Sequence, residues 1–316
     1  GTDNWLYYKD SLEDYLGEEL LSERSLFNIA HTLAMMQETL NEKGVQFLFT
    51  VAPNKNSLYG ENMPYYDSLK VSSDKNLVNL QKYLRQEQVS YGDLYEMLYP
   101  LAMTPEEEVY YDRQTTFAYV GEVVSNFDPK ITTVNPGSTG SLVMYRDSFG
   151  NAILPFFANS YANAYFSRGI PYQMTDLSEN QADTVIVERA ERFLPEMAEN
   201  PPQMEAPQLT VGAVMEPEME ENARGTVTAE VQGDLVKVSG LVDEAILDTD
   251  SRIAIRRNGG DTFEAFPLTL GQEDGSSSDY GFLAYFAADS WMQDQEQIEV
   301  LIEKDGTWIL VGTQSL

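Results

Sequence analysis

The segment Gly140-Ser141-Leu142-Val143-Met144-Tyr145-Arg146-Asp147-Ser148-Phe149-Gly150-Asn151-Ala152 decides how this chain is read. Residues 142–145 form an apolar run of strand length. The run breaks at Asp147-Ser148-Phe149-Gly150, and a helical pattern follows over 151–159. A serine on a sharp strand-to-helix turn is where nucleophilic hydrolases place the attacking hydroxyl, with the free N–H groups of the helix N-terminus ready to steady an oxyanion. Ser148 is therefore the candidate nucleophile, and an N-capping serine is the plainer role for the same position. Such a nucleophile needs a base. The chain of 316 residues has one histidine, His31.

Working outward, residues 1–195 alternate helical and strand patterns. Over 22–42 an apolar stripe of Leu26, Ile29, Leu33, Met36 and Leu40 predicts a helix, with Ser22 as N-cap and Gly44 as terminator. His31 falls opposite that stripe and is expected to face solvent, remote from any strand end. Strands are expected at 45–51, 141–145, 162–167 and 184–188, with a second amphipathic helix at 76–86 and a further helix near Glu191. This alternation predicts a mostly parallel sheet covered on both faces, with ligands at the carboxyl ends of its strands. Both Pro53-Asn54-Lys55 and Asp147-Ser148 fall there.

Residues 196–224 turn to Pro, Glu and Met, and Pro201-Pro202, Pro207 and Pro217 mark a linker or strap. Beyond it, about seven short strand runs separated by Gly- and Asn/Asp-containing turns predict an immunoglobulin-like β-sandwich over 225–316. Its Tyr280, Phe282, Tyr285, Phe286, Trp291 and Trp308 suit either a core or a sugar-stacking surface.

Composition narrows the function. Acidic residues outnumber basic ones 51 to 20, a net charge of −31 that repels nucleic acid and anionic membrane surfaces. Without cysteine there is no disulfide, thiolate metal site or cysteine nucleophile. No run approaches the ~18 apolar residues of a membrane span. The abrupt apolar start at Trp5-Leu6 suggests a signal or anchor removed upstream.

Several ordered segments resemble the SGNH-hydrolase-like proteins related to the alginate O-acetylation factors, including the group named for an Asp-His-His-Trp motif. These are Gly1-x-Asp3-x-Trp5-Leu6-Tyr7, Lys43-Gly44-Val45 with Ala52-Pro53-Asn54-Lys55 and Tyr59, the 140–149 nucleophile segment, Phe166-Ser167-Arg168, and 182–188 with Glu191-Arg192. The resemblance implies a three-layer α/β/α domain and an extracytoplasmic location. It also implies acetyl-ester or acetyl-transfer chemistry on a surface polysaccharide, with Ser148 attacking and a polysaccharide or an acyl-donor protein as partner. No cofactor is implied. In that family an Asp-x-His-Trp element before the serine supplies the base, and this chain departs from the pattern. In one alignment Tyr110-Tyr111-Asp112-Arg113-Gln114-Thr115-Thr116-Phe117 occupies its place, with Gln114 and Thr116 where Asp and His would stand. Neither can move the proton. In the other, preferred alignment, Gln88-Val89-Ser90-Tyr91 resembles the strand before the element and Gly92-Asp93-Leu94-Tyr95 the segment after it, so a block is absent between Tyr91 and Gly92, either lost from the protein or skipped by this sequence.

The chain is thus expected to be an impaired member of that class, or a non-catalytic carbohydrate-binding or assembly protein on the same scaffold. Asn54, Lys55 and Arg146 are the further candidates for contact with substrate or oxyanion. Glu191 and Arg192 are expected to form an ion pair or cap. Glu106, Glu107, Glu108 and Asp112 read as a solvated helix start rather than a metal site.

Overall fold

The computed structural model describes residues 1–2, 4–102, 114–209, 217–219, 224–272, 275–291 and 297–315. The acidic cluster 106–108, Asp112 and the Tyr110-Tyr111 pair lie outside the described residues. The chain divides into two compact units, Gly1–Leu21 with Gln37–Glu196, and Ser22–Met36 with Met197–Leu316. This differs from a simple cut near residue 195, because most of one helix, Glu23–Glu42, is counted with the second unit.

The first unit is built on a seven-stranded sheet. In chain order its strands are β1 (Gln46–Ala52), β2 (Tyr91–Gly92), β3 (Ala118–Val120), β4 (Lys130–Val134), β5 (Thr139–Tyr145), β6 (Tyr161–Ser167) and β7 (Thr184–Ala190). They lie side by side as β2-β1-β7-β5-β6-β4-β3. The first five in that row are parallel, and β4 and β3 add an antiparallel edge. Central strands covered on both faces must be apolar throughout. Accordingly Leu142 to Tyr145 in β5 and Val185 to Val187 in β7 are all buried. Helices Asn76–Gln86 and Gly150–Ser160 follow their predicted spans closely. The α/β architecture is as expected. Strands β3 and β4 are additions, and β2 overlaps at Tyr91 the strand that the resemblance places at 88–91.

The second unit is all-β apart from its helical segment. It contains β8 (Glu218–Met219), β9 (Gly225–Gln232), β10 (Leu235–Val242), β11 (Ile253–Arg257), β12 (Thr262–Glu264), β13 (Phe266–Gly271), β14 (Ser277–Ala287), β15 (Gln297–Lys304) and β16 (Thr307–Ser315). One sheet runs β13-β14-β10-β9 and the other β12-β11-β15-β16-β8. Val236, Val238, Phe282 and Ala284 of the first share one core with Ile253, Ile255, Val300 and Ile302 of the second, which makes a sandwich. The run expected at 262–268 is two strands, because the chain changes sheets between Glu264 and Phe266. Pro267 then sits on an edge strand, where a missing N–H is tolerated. A side chain at Gly240 would place its Cβ 1.8 Å from the Thr226 carbonyl oxygen, so only glycine fits. Phe282, Tyr285, Phe286, Trp291 and Trp308 are all buried, so five of the six aromatics suggested for sugar stacking build core.

His31 corrects the sequence reading. It is 8% exposed, and its Nε2 lies 2.8 Å from Glu264 Oε1. The helix face opposite the apolar stripe is covered within the second unit. Arg24 donates to the Ser251 carbonyl (2.7 Å) and Asn28 to that of Asp279 (2.8 Å). Periodicity identifies an apolar face, but a polar face can also be buried when its side chains find partners, as Arg24, Asn28 and His31 each do, with Arg24 Nε and Nη2 and Asn28 Oδ1 left over. Ser22 does cap this helix, accepting the Ser25 N–H at 3.0 Å, and Gly44 ends it at φ +74°.

Candidate functional site

Ser148 lies where expected, on the turn between β5 and the helix Gly150–Ser160, at the carboxyl edge of the parallel sheet. The residue is half-buried, and among the described residues none hydrogen-bonds its hydroxyl. The turn is tied from below by Asp147. One carboxylate oxygen accepts the Ala190 N–H at the end of β7 (2.6 Å), and the other accepts the Phe149 N–H (2.7 Å). This second bond matters chemically. In a serine elbow the N–H of the residue after the nucleophile is a principal oxyanion donor. Here that N–H is committed to Asp147. The expectation of free N–H groups at this helix start fails for Phe149.

Beneath the turn lies Glu188, on β7 and fully buried. Its Oε2 accepts the Asp147 N–H at 3.2 Å, and its Oε1 has no partner. Burial first, and the Asp147 charge second, push its carboxyl up to about 8, so it is protonated at neutral pH. Glycine at 150 follows from this crowding. A Cβ there would lie 2.6 Å from Arg146 Cβ and 2.8 Å from Glu188 Oε2.

Of the other three candidates, Arg146 and Asn54 are buried and Lys55 is exposed. Arg146 is 1% exposed. Its guanidinium donates to Asn151 Oδ1 and to the Asp128 carbonyl (2.9 Å), and desolvation lowers its pKa to about 10. Asn54 is 1% exposed and acts as a strut. Its N–H goes to Glu191 (3.0 Å), its Nδ2 donates to Asp14 (3.1 Å), and its Oδ1 accepts from Arg192 (3.1 Å). Glu191 and Arg192 therefore both turn to Asn54, and among the described residues they form no ion pair with each other. Lys55 is exposed, with Nζ 4.6 Å above the Trp5 ring. Asn54 does belong to the same edge as Ser148. The Arg192 guanidinium that binds it also lies 4.9 Å over the ring of Phe149, next to the serine.

A base is not found by either alignment. Thr116 hydrogen-bonds Asn159 through its N–H (2.9 Å) and hydroxyl (3.0 Å). Asn159 lies in the last turn of the helix that starts just after Ser148, and 11 residues of helix span about 16 Å. Thr116 therefore sits at the opposite end from the nucleophile position. Gln114 is exposed. In the preferred alignment the absent block falls between Tyr91 and Gly92, the two residues of β2, in register with Phe49 and Thr50. The Thr50 hydroxyl donates to the Gly92 carbonyl at 2.7 Å.

The first unit thus carries a parallel sheet with a serine turn at its carboxyl edge, and the second unit is a β sandwich. Residues 1–121 match the family model described as the SGNH hydrolase-like domain of the acetyltransferase AlgX, so the resemblance seen in the sequence is shown over that stretch, which stops short of Ser148. No curated protein sequence matches the chain. Among solved structures, Pseudomonas aeruginosa AlgX is 11% identical, with 98% of this chain and 93% of that one covered and a TM-score of 0.37. Bacillus cereus PatB1 is 13% identical (55% and 91% covered, TM-score 0.38). The O-acetyltransferase domain of Pseudomonas putida AlgJ is 16% identical (62% and 91%, TM-score 0.34). These three likenesses are loose and add no argument to the family match. Among the described residues no helix is long and apolar enough to cross a membrane.

Proposed function

We propose that this chain is an extracytoplasmic, glycan-associated protein of a polysaccharide O-acetylation system that keeps the SGNH-like scaffold without performing ester chemistry at Ser148. The observation that carries this reading is the state of the turn. Among the described residues no side chain hydrogen-bonds the serine hydroxyl, and the N–H that would steady an oxyanion is bonded to Asp147. The one histidine has its Nε2 against Glu264 in the second unit. General-base assistance is worth roughly 10²- to 10⁴-fold, so a serine without it is a poor catalyst. Glycan binding needs no proton relay and survives its loss.

Affinity electrophoresis through gels containing neutral, acidic and amine-bearing polysaccharides tests the reading. Retardation by at least one glycan, unchanged in Ser148→Ala, is the expected result. Migration unaffected by every polysaccharide would overturn it.

A further inference from the structure

Within the first unit, the segments that follow β1 and β2 wall a cleft of about 590 Å³, within the range of small-molecule sites. Tyr15 and Tyr95 are among its lining residues, with Lys70 Nζ 4.2 Å and Lys75 Nζ 4.9 Å from the Tyr15 ring. Four carboxyl groups line it (Glu61, Asp67, Asp93 and Glu191) against Lys70 and Lys75.

Both lysines are already engaged. Lys70 pairs with Asp67 at 2.6 Å, and Lys75 donates to the carbonyls of Asp14 (3.3 Å) and Tyr15 (3.1 Å). Asp93 and Glu191, by contrast, are satisfied only by neutral donors. Asp93 accepts from the Gln81 amide (2.7 Å) and the Glu96 N–H (2.9 Å). Glu191 Oε2 accepts from the Ser57 hydroxyl (2.6 Å) and the Asn54 N–H. Asn56 supplies an independent sign of a ligand. It is 0% exposed and lines the cleft. Its Nδ2 donates to the Ser11 carbonyl, while its Oδ1 is buried with no hydrogen-bond partner. Leaving a buried acceptor unpaired is costly, and native structures do so for a reason.

An unpaired acceptor beside carboxyl groups that accept only neutral hydrogen bonds, with Lys75 acting on Glu191 only at longer range, suits a ligand that brings donors and positive charge. We propose that this cleft binds an amino sugar with a free amine, its ammonium facing Asn56, Asp93 and Glu191 and its ring against the tyrosines. The net charge of −31 favours the same sign of ligand and disfavours a uronate. The choice of a sugar rests on the glycan reading above, and the amine recognition stands on the cleft alone.

The experiment is calorimetric titration of the whole chain with glucosamine, glucose, N-acetylglucosamine and ethanolamine. Glucosamine is expected to bind, with glucose and N-acetylglucosamine at least about tenfold weaker. Asp93→Asn and Glu191→Gln, each checked for an unchanged melting profile, are expected to weaken glucosamine by about tenfold or more. Equal binding of glucose, or glucosamine binding unchanged in both variants, would overturn the proposal. Ethanolamine binding as tightly as glucosamine would overturn the sugar assignment. Glucosamine binding that persists while every polysaccharide fails in the gel assay would support the cleft and refute the glycan reading separately.

Discussion

Glu264 in the second unit and Glu188 in the first are both strand carboxyls shut away from water, and they are handled in opposite ways. Burial alone would raise Glu264. The hydrogen bonds from Arg252 and His31 outweigh it and hold the carboxyl at about 2. Glu188 lies against Asp147, keeps an unpaired oxygen, and is pushed up to about 8. The first arrangement is a completed ion network that fastens a helix to a sandwich within one unit. The second is an uncompensated acid beneath a turn, the pattern that marks functional sites rather than scaffolds. Glu264 is thus compensated within its unit, and Glu188 is not.

The largest expected effect breaks the satisfied side. Glu264→Ala takes this carboxylate from buried His31 and leaves Arg252 with Glu303, and removing one partner of a buried pair costs up to about 3–5 kcal/mol. Urea denaturation reads this directly, and a loss below about 1 kcal/mol would mean the network is ornamental. Gly150→Ala tests the crowding over Glu188. Its Cβ must displace Arg146 or Glu188, so an overpacking cost of about 1–3 kcal/mol is expected. A neutral or stabilising result would show that the turn has room.

The smallest effect separates the two carboxyls by pH. Glu188 has a folded pKa above its ordinary 4.5, so its contribution is complete below 4.5 and is lost as pH rises through about 8. Glu191, raised to about 7 mainly by burial, acts in the same direction. Glu264 is the reverse, contributing above 4.5 and failing as pH falls through about 2. Glu188→Gln should therefore match the wild type within about 1 kcal/mol at pH 6 and lose less stability than it by pH 9. An identical alkaline decline in both proteins would remove Glu188 from the account.

Much of the frame was legible in the sequence, for identifiable reasons. Strands β1, β5, β6 and β7 are apolar runs of strand length, and the sandwich strands are separated by turn residues. Strand β4, Lys-Ile-Thr-Thr-Val, was not legible because only Ile131 and Thr133 turn inward on a short edge-side strand. The serine turn was readable from its break in pattern. The bond from the Phe149 N–H to Asp147 was not, because it depends on how one side chain rotates. Glu188 did leave a signal: an acid inside the Val185-Ile186-Val187 strand, covered on both faces, has no route to water. His31 left none, since its burial depends on Glu264, 233 residues away in sequence.

The central claim is that the Ser148 turn holds a hydroxyl without a proton relay. Steady-state hydrolysis of a simple acetyl ester at pH 7–8, with wild-type chain and Ser148→Ala side by side, tests it most directly. The account predicts the same near-background rate for both. Rapid turnover by the wild type that Ser148→Ala abolishes would contradict it and require a base among residues other than His31 and Thr116.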